Sequence, residues 1–193
     1  MFNLEYSMEL GAVNEIIGSI GEPPVNTLDG EANADVVTAR RLLYNANREV
    51  QSKGWTFNIE QGVSLFPDVF SKLIAYDSDI LNMRSSQTAT PYVNIEGYVY
   101  DRINRVDRFE GPIVVDIIRM RQLDEMPECF KRWIVLKASV KFAQASFGDP
   151  DTVRLLMSDV EQARQDCNEY ELDYGNYNAL TGDTYITQML NRG

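Results

Sequence analysis

The stretch from Glu125 to Tyr174 constrains this chain more than any other, because it holds the longest run of helical periodicity in the sequence. In its first half Met126, Cys129/Phe130, Trp133, Leu136, Val140, Ala143 and Phe147 recur at steps of three and four, which lines them up on one helical face. Ile134, Ala138, Phe142 and Ala145 form a second apolar stripe beside the first. A helix that is apolar on two sides has to touch neighbours on both, so this one is expected at the centre of the fold. Its second half carries a single stripe, Val153, Leu156/Met157, Val160, Ala163, Cys167 and Tyr170. Asp159, Glu161, Arg164, Gln165, Asp166 and Glu169 cover the other faces, the pattern of an outer helix with one wet side. Trp133, Leu136, Val140, Phe147 and Val160 are the expected core.

The join between the two halves is written in turn chemistry. Gly148 suits a left-handed C-cap, Asp149 caps the helix that follows, and Pro150 fits a first helical position, where no N–H is needed. Two antiparallel helices of about 20 residues, each roughly 30 Å long, are expected. Cys129 and Cys167 lie nearly equidistant from that turn, so the hairpin would make them neighbours, and two reduced thiols are the expected state in a reducing cytosol.

Upstream, a helix is expected from about Ser7 to Ile20, with Val13, Ile16, Ile17 and Ile20 on one side, ending at Gly21 before Pro23-Pro24. Thr27-Leu28-Asp29-Gly30 reads as a turn. A second helix from about Asn33 to Lys53 places Val36, Ala39, Leu43, Ala46 and Val50 inward. Its outer face reads as polar, with Arg40, Arg41, Asn47, Arg48 and Gln51. From Trp55 the period changes to two: WTFNIE sets Trp55, Phe57 and Ile59 on one face, and GVSLF, YVNIEGYVYD and PIVVDIIRMR continue as strands. SKLIAY and DILNMR fit either short strands or turns of helix, and SSQTAT reads as loop. Asp124 and Pro127 mark the return to the central helix.

The fold class that follows is α+β: a bundle of about four helices with an antiparallel β insertion and an extended C-terminal tail. Residues 1–54 and 122–174 form the helical core, 55–121 the insertion, and 175–193 a C-terminal arm. With 193 residues and 44% hydrophobic composition the chain can bury a core of its own. No apolar run approaches the length of a membrane span, and no secretory leader is visible.

Histidine is absent, which removes the imidazole base of serine and cysteine hydrolases and the commonest metal ligand. No cofactor and no metal are expected. The net charge of −11 is uneven: residues 101–145 are slightly basic, with nine Lys/Arg against seven Asp/Glu, while both ends are acidic. That distribution opposes general affinity for nucleic acid, which needs a basic surface to displace counterions. GSIGEPP is not a phosphate loop, since the Gly-Lys-Ser/Thr ending is missing and proline removes donors.

Three groups of residues have a functional reading beside a structural one. Asp77/Asp79 and Asp124/Glu125/Glu128 are carboxylate clusters, and a pair roughly 5 to 10 Å apart can hydrolyse a glycosidic bond. Negative charge is also simply favoured at a helix N-terminus, which accounts for Asp124, Glu125 and Glu128 without catalysis. Arg102, Arg105, Arg108, Arg119 and Arg121 are interleaved with Asp101, Asp107 and Asp116, and fit either DNA phosphates or a salt-bridged contact between subunits, the mixed signs favouring the subunit contact. Tyr170, Tyr174 and Tyr177 serve either the core or an interface, where a large rigid ring with a polar tip is a good anchor. The arm from Gly175 has Tyr177, Leu180, Tyr185, Ile186, Met189 and Leu190 among Gly, Asn and Thr. It either orders against a partner or folds back on its own core.

GSIGEPPVNTLDGEANAD, SKGWTFNIEQGVSLFPDV, GYVYDR, DEMPECF followed by WIV and KAS, and CNEYELDYGNYN together carry a resemblance. In that order, over nearly the whole chain, they resemble the tail tubular protein A family, the head-tail adaptors of short-tailed phages related to the Autographiviridae. The resemblance implies a structural virion protein, made in the host cytoplasm, that assembles into a homo-oligomeric ring, a dodecamer in the family. Such a ring sits between the portal protein and the tail nozzle protein, carries tail fibres at its level, and lets genome DNA pass without sequence-specific binding. On that footing Tyr174, Tyr177, Leu180, Tyr185, Ile186, Met189 and Leu190 become candidates for contact with the portal, and the five arginines candidates for contact between subunits. A glycoside hydrolase acting on host polysaccharide through Asp77, Asp79, Asp124 or Glu128 is the alternative from a different class.

Overall fold

A computed structural model describes residues 4–28, 33–88, 90–146 and 149–174 of the chain. Phe147, Gly148 and the arm 175–193 lie outside the described residues, as do Asp29 and Gly30 of the expected turn. The fold is α+β, as the periodicities require: helices α1 (Leu4–Gly18), α2 (Ala34–Gln51), α3 (Glu128–Ala145) and α4 (Pro150–Tyr174). Strands β1 (Ile59–Leu65), β2 (Ile80–Ser85), β3 (Pro91–Ile95), β4 (Tyr98–Asp101) and β5 (Ile113–Arg119) all fall between α2 and α3.

Helix α3 is central. Phe130, Ile134, Ala138, Phe142 and Ala143 are fully buried, and Trp133, Val135, Leu136 and Val140 nearly so. It packs on α1, α2 and α4, so both of its apolar stripes are used, except for Ala145, which is exposed at the helix end. Against α4 the pairing is antiparallel: Cys129 meets Cys167, Phe130 meets Tyr170 edge to face at 6.0 Å, and Arg132 reaches Asp166 at 3.8 Å. Asp149 caps α4 by accepting from the Thr152 N–H at 3.1 Å, with Pro150 as the first helical residue. Helix α4 buries Ala163 and Cys167 and half-buries Val153, Leu156, Val160 and Tyr170. Met157, placed on the inward stripe by its spacing, is exposed instead, because Leu156 takes the inward position.

Helix α1 begins earlier than expected, at Leu4, and buries Val13, Ile16 and Ile17. Gly21 adopts a positive φ of 84° where the helix stops. The Pro23-Pro24 segment is held back onto α1 by Asn14, whose side chain donates to the Val25 carbonyl at 3.0 Å and accepts from the Val25 N–H at 2.8 Å. Helix α2 is capped by Asn33 and buries Val36, Ala39, Leu43, Ala46 and Val50. Its outer face is less polar than the sequence pattern implies, since Asn47 and Gln51 are buried.

A larger correction concerns WTFNIE. Residues 56–58 form a turn and β1 starts only at Ile59, so Trp55 and Phe57 are not strand residues. The Asn58 side chain accepts from the Trp55 N–H at 2.8 Å and so offers the backbone a local alternative to extension. The Trp55 indole N–H donates to the Val50 carbonyl at 2.7 Å. Both rings turn into the helical core: Trp55 and Phe57 pack on Phe130 with centroids 4.9 and 4.7 Å away, and Trp55 meets Trp133 edge-on at 5.8 Å.

The sheet is antiparallel throughout, in the order β1-β5-β2-β3-β4. Its own apolar cluster, Ile74, Ile80, Met83, Val99, Val115 and Ile117, is separate from the helical one. Val115 and Ile117 alternate with Val114 and Asp116, the period-two pattern of a strand with one covered face. Glu96 and Gly97, both at positive φ, close the two-residue β3–β4 turn. The outer side of β4 is covered by the chain itself, through Val99 N–H to Ile74 carbonyl (2.9 Å) and Asp101 N–H to Val106 carbonyl (2.9 Å).

Sheet and helices are joined through a buried polar knot built on Gln51. Its amide nitrogen donates to Asn47 Oδ1 (2.6 Å) and to the Arg121 carbonyl (2.9 Å), while its amide oxygen accepts from the Arg121 N–H (2.8 Å). Asn58 Nδ2 donates to the Gln51 carbonyl at 3.0 Å. The end of α2, the start of β1 and the exit of β5 are thereby fixed to one another.

Candidate assembly surfaces

The five arginines fall into two groups. Arg119 and Arg121, at the helical end of β5, are consumed inside the subunit. Arg119 Nη1 donates to both oxygens of Asp79, at 2.8 and 2.7 Å, its Nε reaches Glu60 at 3.2 Å, and Asp77 lies 3.7 Å away. Arg121 Nη2 pairs with the same Glu60 at 2.7 Å. Hydrogen bonding to Asp79, and then the charges of Asp79 and Glu60, hold Arg119 still more firmly in its charged form against the opposing effect of burial. This network ties β1, β5 and the approach to β2 together.

Arg102, Arg105 and Arg108 lie in the turn after β4, exposed, and make no ion pair among the described residues. That turn is rigid nonetheless. Buried Asp101 accepts from the N–H groups of Ile103 (2.8 Å) and Asn104 (2.9 Å) and from the Asn104 side chain (2.8 Å). Burial opposes ionisation of Asp101, but the hydrogen bonds from Asn104 and Ile103 outweigh it and hold the carboxyl below the usual range. Asp116, the third interleaved acid, is also held low, chiefly by the Ser86 hydroxyl (2.6 Å) and the Gly62 N–H (3.1 Å), and so pins the bulge of β1.

All but one of the clustered carboxylates have structural partners. Asp77 and Asp79 face Arg119. Glu125 accepts from the Gln122 N–H at 3.1 Å and closes the short 3-10 turn Leu123–Glu125. Glu128 pairs with Lys131 at 3.2 Å in the first turn of α3. Asp124 is exposed and unpaired among the described residues, and with Asp79, Glu9, Arg40 and Tyr44 it lines an open cavity of about 760 Å³ at the junction of α1, α2 and the sheet. Met8, Leu43, Met120 and Leu123 supply the apolar part of its wall. Among the described residues no cluster of three potential metal ligands occurs, and no helix is long and apolar enough to cross a membrane.

At the end of α4 the tyrosines divide between the two roles. Tyr170 packs on Phe130, and burial, followed by its neighbour Tyr174, pushes its phenol upward. Tyr174 stacks on Tyr170 at 4.3 Å yet is 71% exposed. Glu171 accepts from the Thr56 N–H (3.1 Å) and hydroxyl (2.7 Å), locking the helix end to the turn before β1. Cys129 and Cys167 are free thiols in contact, and burial raises both.

The loop between β1 and β2 presents an apolar tip of which only Phe66, at the end of GVSLF, falls in a segment with strand periodicity. Phe66, Val69 and Phe70 are 73%, 76% and 93% exposed, and Asp68 holds the loop by accepting from the Phe70 N–H (3.1 Å), the Ser71 N–H (2.8 Å) and the Ser71 hydroxyl (2.9 Å). The signal available in the sequence was FPDVF, two aromatics around a Pro-Asp turn, which a strand would not need.

Apolar and charged groups held on the outside in hydrogen-bonded loops are what a subunit built into a larger assembly presents. A family model described as tail tubular protein matches residues 10–177, and the chain belongs to that family. It is a structural protein of the phage virion, located in the tail and assembled there with other tail proteins. Among curated proteins no match is found.

Proposed function

We propose that this chain forms a ring, twelvefold as in the adaptors it resembles, that joins the portal to the tail nozzle, carries fibres at its level and provides the channel for DNA ejection. The observation that carries the reading is the family match across residues 10–177, which takes in every strand and nearly all of the helical layer. The net charge of −11 supports a channel role, since a wall of like sign lets DNA phosphates pass without gripping them. Synthesis in the host cytoplasm precedes assembly.

In this reading residues 1–54 and 122–174 are the frame and 55–121 the β insertion, a division supported by the two separate apolar clusters. Packing moves the boundary slightly, because Trp55 and Phe57 side with the helices. Residues 175–193 form the portal-engaging arm, leaving the frame beside exposed Tyr174. The arm carries one Asp and one Arg, so apolar burial drives its contact and salt affects it weakly.

Electron microscopy of the purified protein with and without portal rings tests the adaptor role. Rings stacked on the portal are expected, and single subunits under both conditions would overturn it. Deleting residues 176–193 is expected to leave the circular dichroism unchanged and abolish co-sedimentation with portal rings. Undiminished binding would remove the arm from the interface.

A further inference from the structure

The exposed loop Phe66–Phe70 and the open cavity lie at opposite ends of the sheet. The loop follows Leu65, which pairs with Ile113 at the far end of β1, whereas the cavity borders Asp79 and Met120, beside the Ile80–Arg119 pair at the helical end. A seven-residue strand such as β1 separates them by about 20 Å.

The two places are complementary. The loop tip is apolar, through Phe66, Val69 and Phe70, and it is preorganised: Asp68 clamps it from within, and Arg108 Nη1 donates to the Ser71 carbonyl at 2.8 Å from outside. A loop already fixed in one shape loses little entropy when it docks, and exposed aromatics on such a loop are the usual anchors of an interface. Arg108, anchored on Ser71, stands beside the tip; it and the exposed Arg102 and Arg105 of the turn after β4 make no ion pair among the described residues, and Asp107 and Glu110 offset part of the charge of this stretch. The cavity offers an apolar wall of Met8, Leu43 and Leu123 and a rim carrying Glu9, Asp79, whose charge Arg119 already meets, and Asp124, which has no ion pair among the described residues. Arg40, paired with Glu9 at 2.9 Å, is the basic residue on that rim.

We propose that the Phe66–Val69–Phe70 knob of one subunit seats in the Leu43–Tyr44–Asp124 cavity of a second copy of this chain, with the arginine turn against the acidic rim. The pairing rests on the ring reading above and says which surfaces make the ring. Knob and socket are different surfaces of one chain, so the contact is head-to-tail, and repetition of such a contact generates a closed ring when its rotation closes. It uses the exposed arginines and leaves Arg119 and Arg121 to their internal network.

Two variants at exposed positions test it, Phe70→Asp in the knob and Tyr44→Asp in the socket, each checked for an unchanged melting temperature and circular dichroism. Sedimentation velocity of the wild type is expected to show a closed oligomer, and each variant alone a monomer. An equimolar mixture keeps one intact knob and one intact socket, so it is expected to give a heterodimer and nothing larger. Wild type that assembles while a folded Phe70→Asp or Tyr44→Asp variant assembles equally well overturns the pairing alone. A mixture that stays monomeric, or that rebuilds the full oligomer, also overturns it. Wild type that stays monomeric at every concentration, both alone and with portal rings, overturns the ring reading, and the pairing with it.

Discussion

Replacing Gln51 by Leu keeps the volume of a fully buried side chain and removes only its hydrogen bonds, so the change isolates what the polar knot contributes. In the native protein the Gln51 amide serves Asn47 Oδ1 at 2.6 Å, the Arg121 carbonyl at 2.9 Å and the Arg121 N–H at 2.8 Å. Leucine leaves those groups without their partner, and each buried polar group so orphaned costs about 1–3 kcal/mol. The Arg121 backbone is only part-buried and can recover some hydration, which brings the expected loss to about 3 kcal/mol rather than the full sum. For a chain of this length that corresponds to a fall in Tm of roughly 6–12 °C. Urea denaturation followed by circular dichroism measures the free energy directly, and a double-mutant cycle with Asn47→Ala separates that hydrogen bond from those to Arg121. A loss below about 1 kcal/mol would show that the knot is replaceable and that apolar packing alone holds the sheet to the helices.

Trp133→Ala is expected to cost about 3–5 kcal/mol, as for large aromatics in packed cores, and an unchanged Tm would remove α3 from the centre of the fold. Gly54→Ala is expected to destabilise by about 1–3 kcal/mol, since φ is +79° and the new Cβ would lie 2.8 Å from Ile118 Cδ1; a neutral result in thermal denaturation would contradict that crowding. Asp101 has a depressed folded-state pKa, so its contribution is present above the unfolded value and is lost as pH falls through the folded one. Wild type is therefore expected to lose more stability than Asp101→Asn as the pH drops below about 4, and parallel acid titrations of the two proteins would refute the assignment. Incubation with capsular polysaccharide is expected to release no reducing sugar, because Asp79 is bound through both oxygens to Arg119; release that disappears in Asp79→Asn would establish the hydrolase instead.

Much of this molecule was determined by local sequence. The two stripes of α3, the inward residues of α1 and α2 and the Asp149-Pro150 start of α4 each follow from spacing or from the conformational limits of single residues, whereas YVNIEGYVYD, which reads as one strand, is broken into β3 and β4 by the Glu96-Gly97 turn. The α+β class followed from the change of period read at Trp55, four residues before the first strand begins, and the family resemblance from segments spread along the whole chain. Tertiary structure decided the rest, because the partners are far apart in sequence. Gln51 and Asn47 read as a wet helical face until Arg121, 70 residues on from Gln51, supplies the groups that make their burial tolerable. Trp55 and Phe57 alternate like strand residues, yet the Asn58 hydrogen bond turns the backbone and Phe130 takes both rings. Five arginines close together in sequence share one charge pattern, and only the strand register separates Arg119 and Arg121, facing Glu60 and Asp79, from Arg102, Arg105 and Arg108 in the outer turn. Periodicity records which side of its own element a residue occupies; which distant group meets it there is set by how the elements pack.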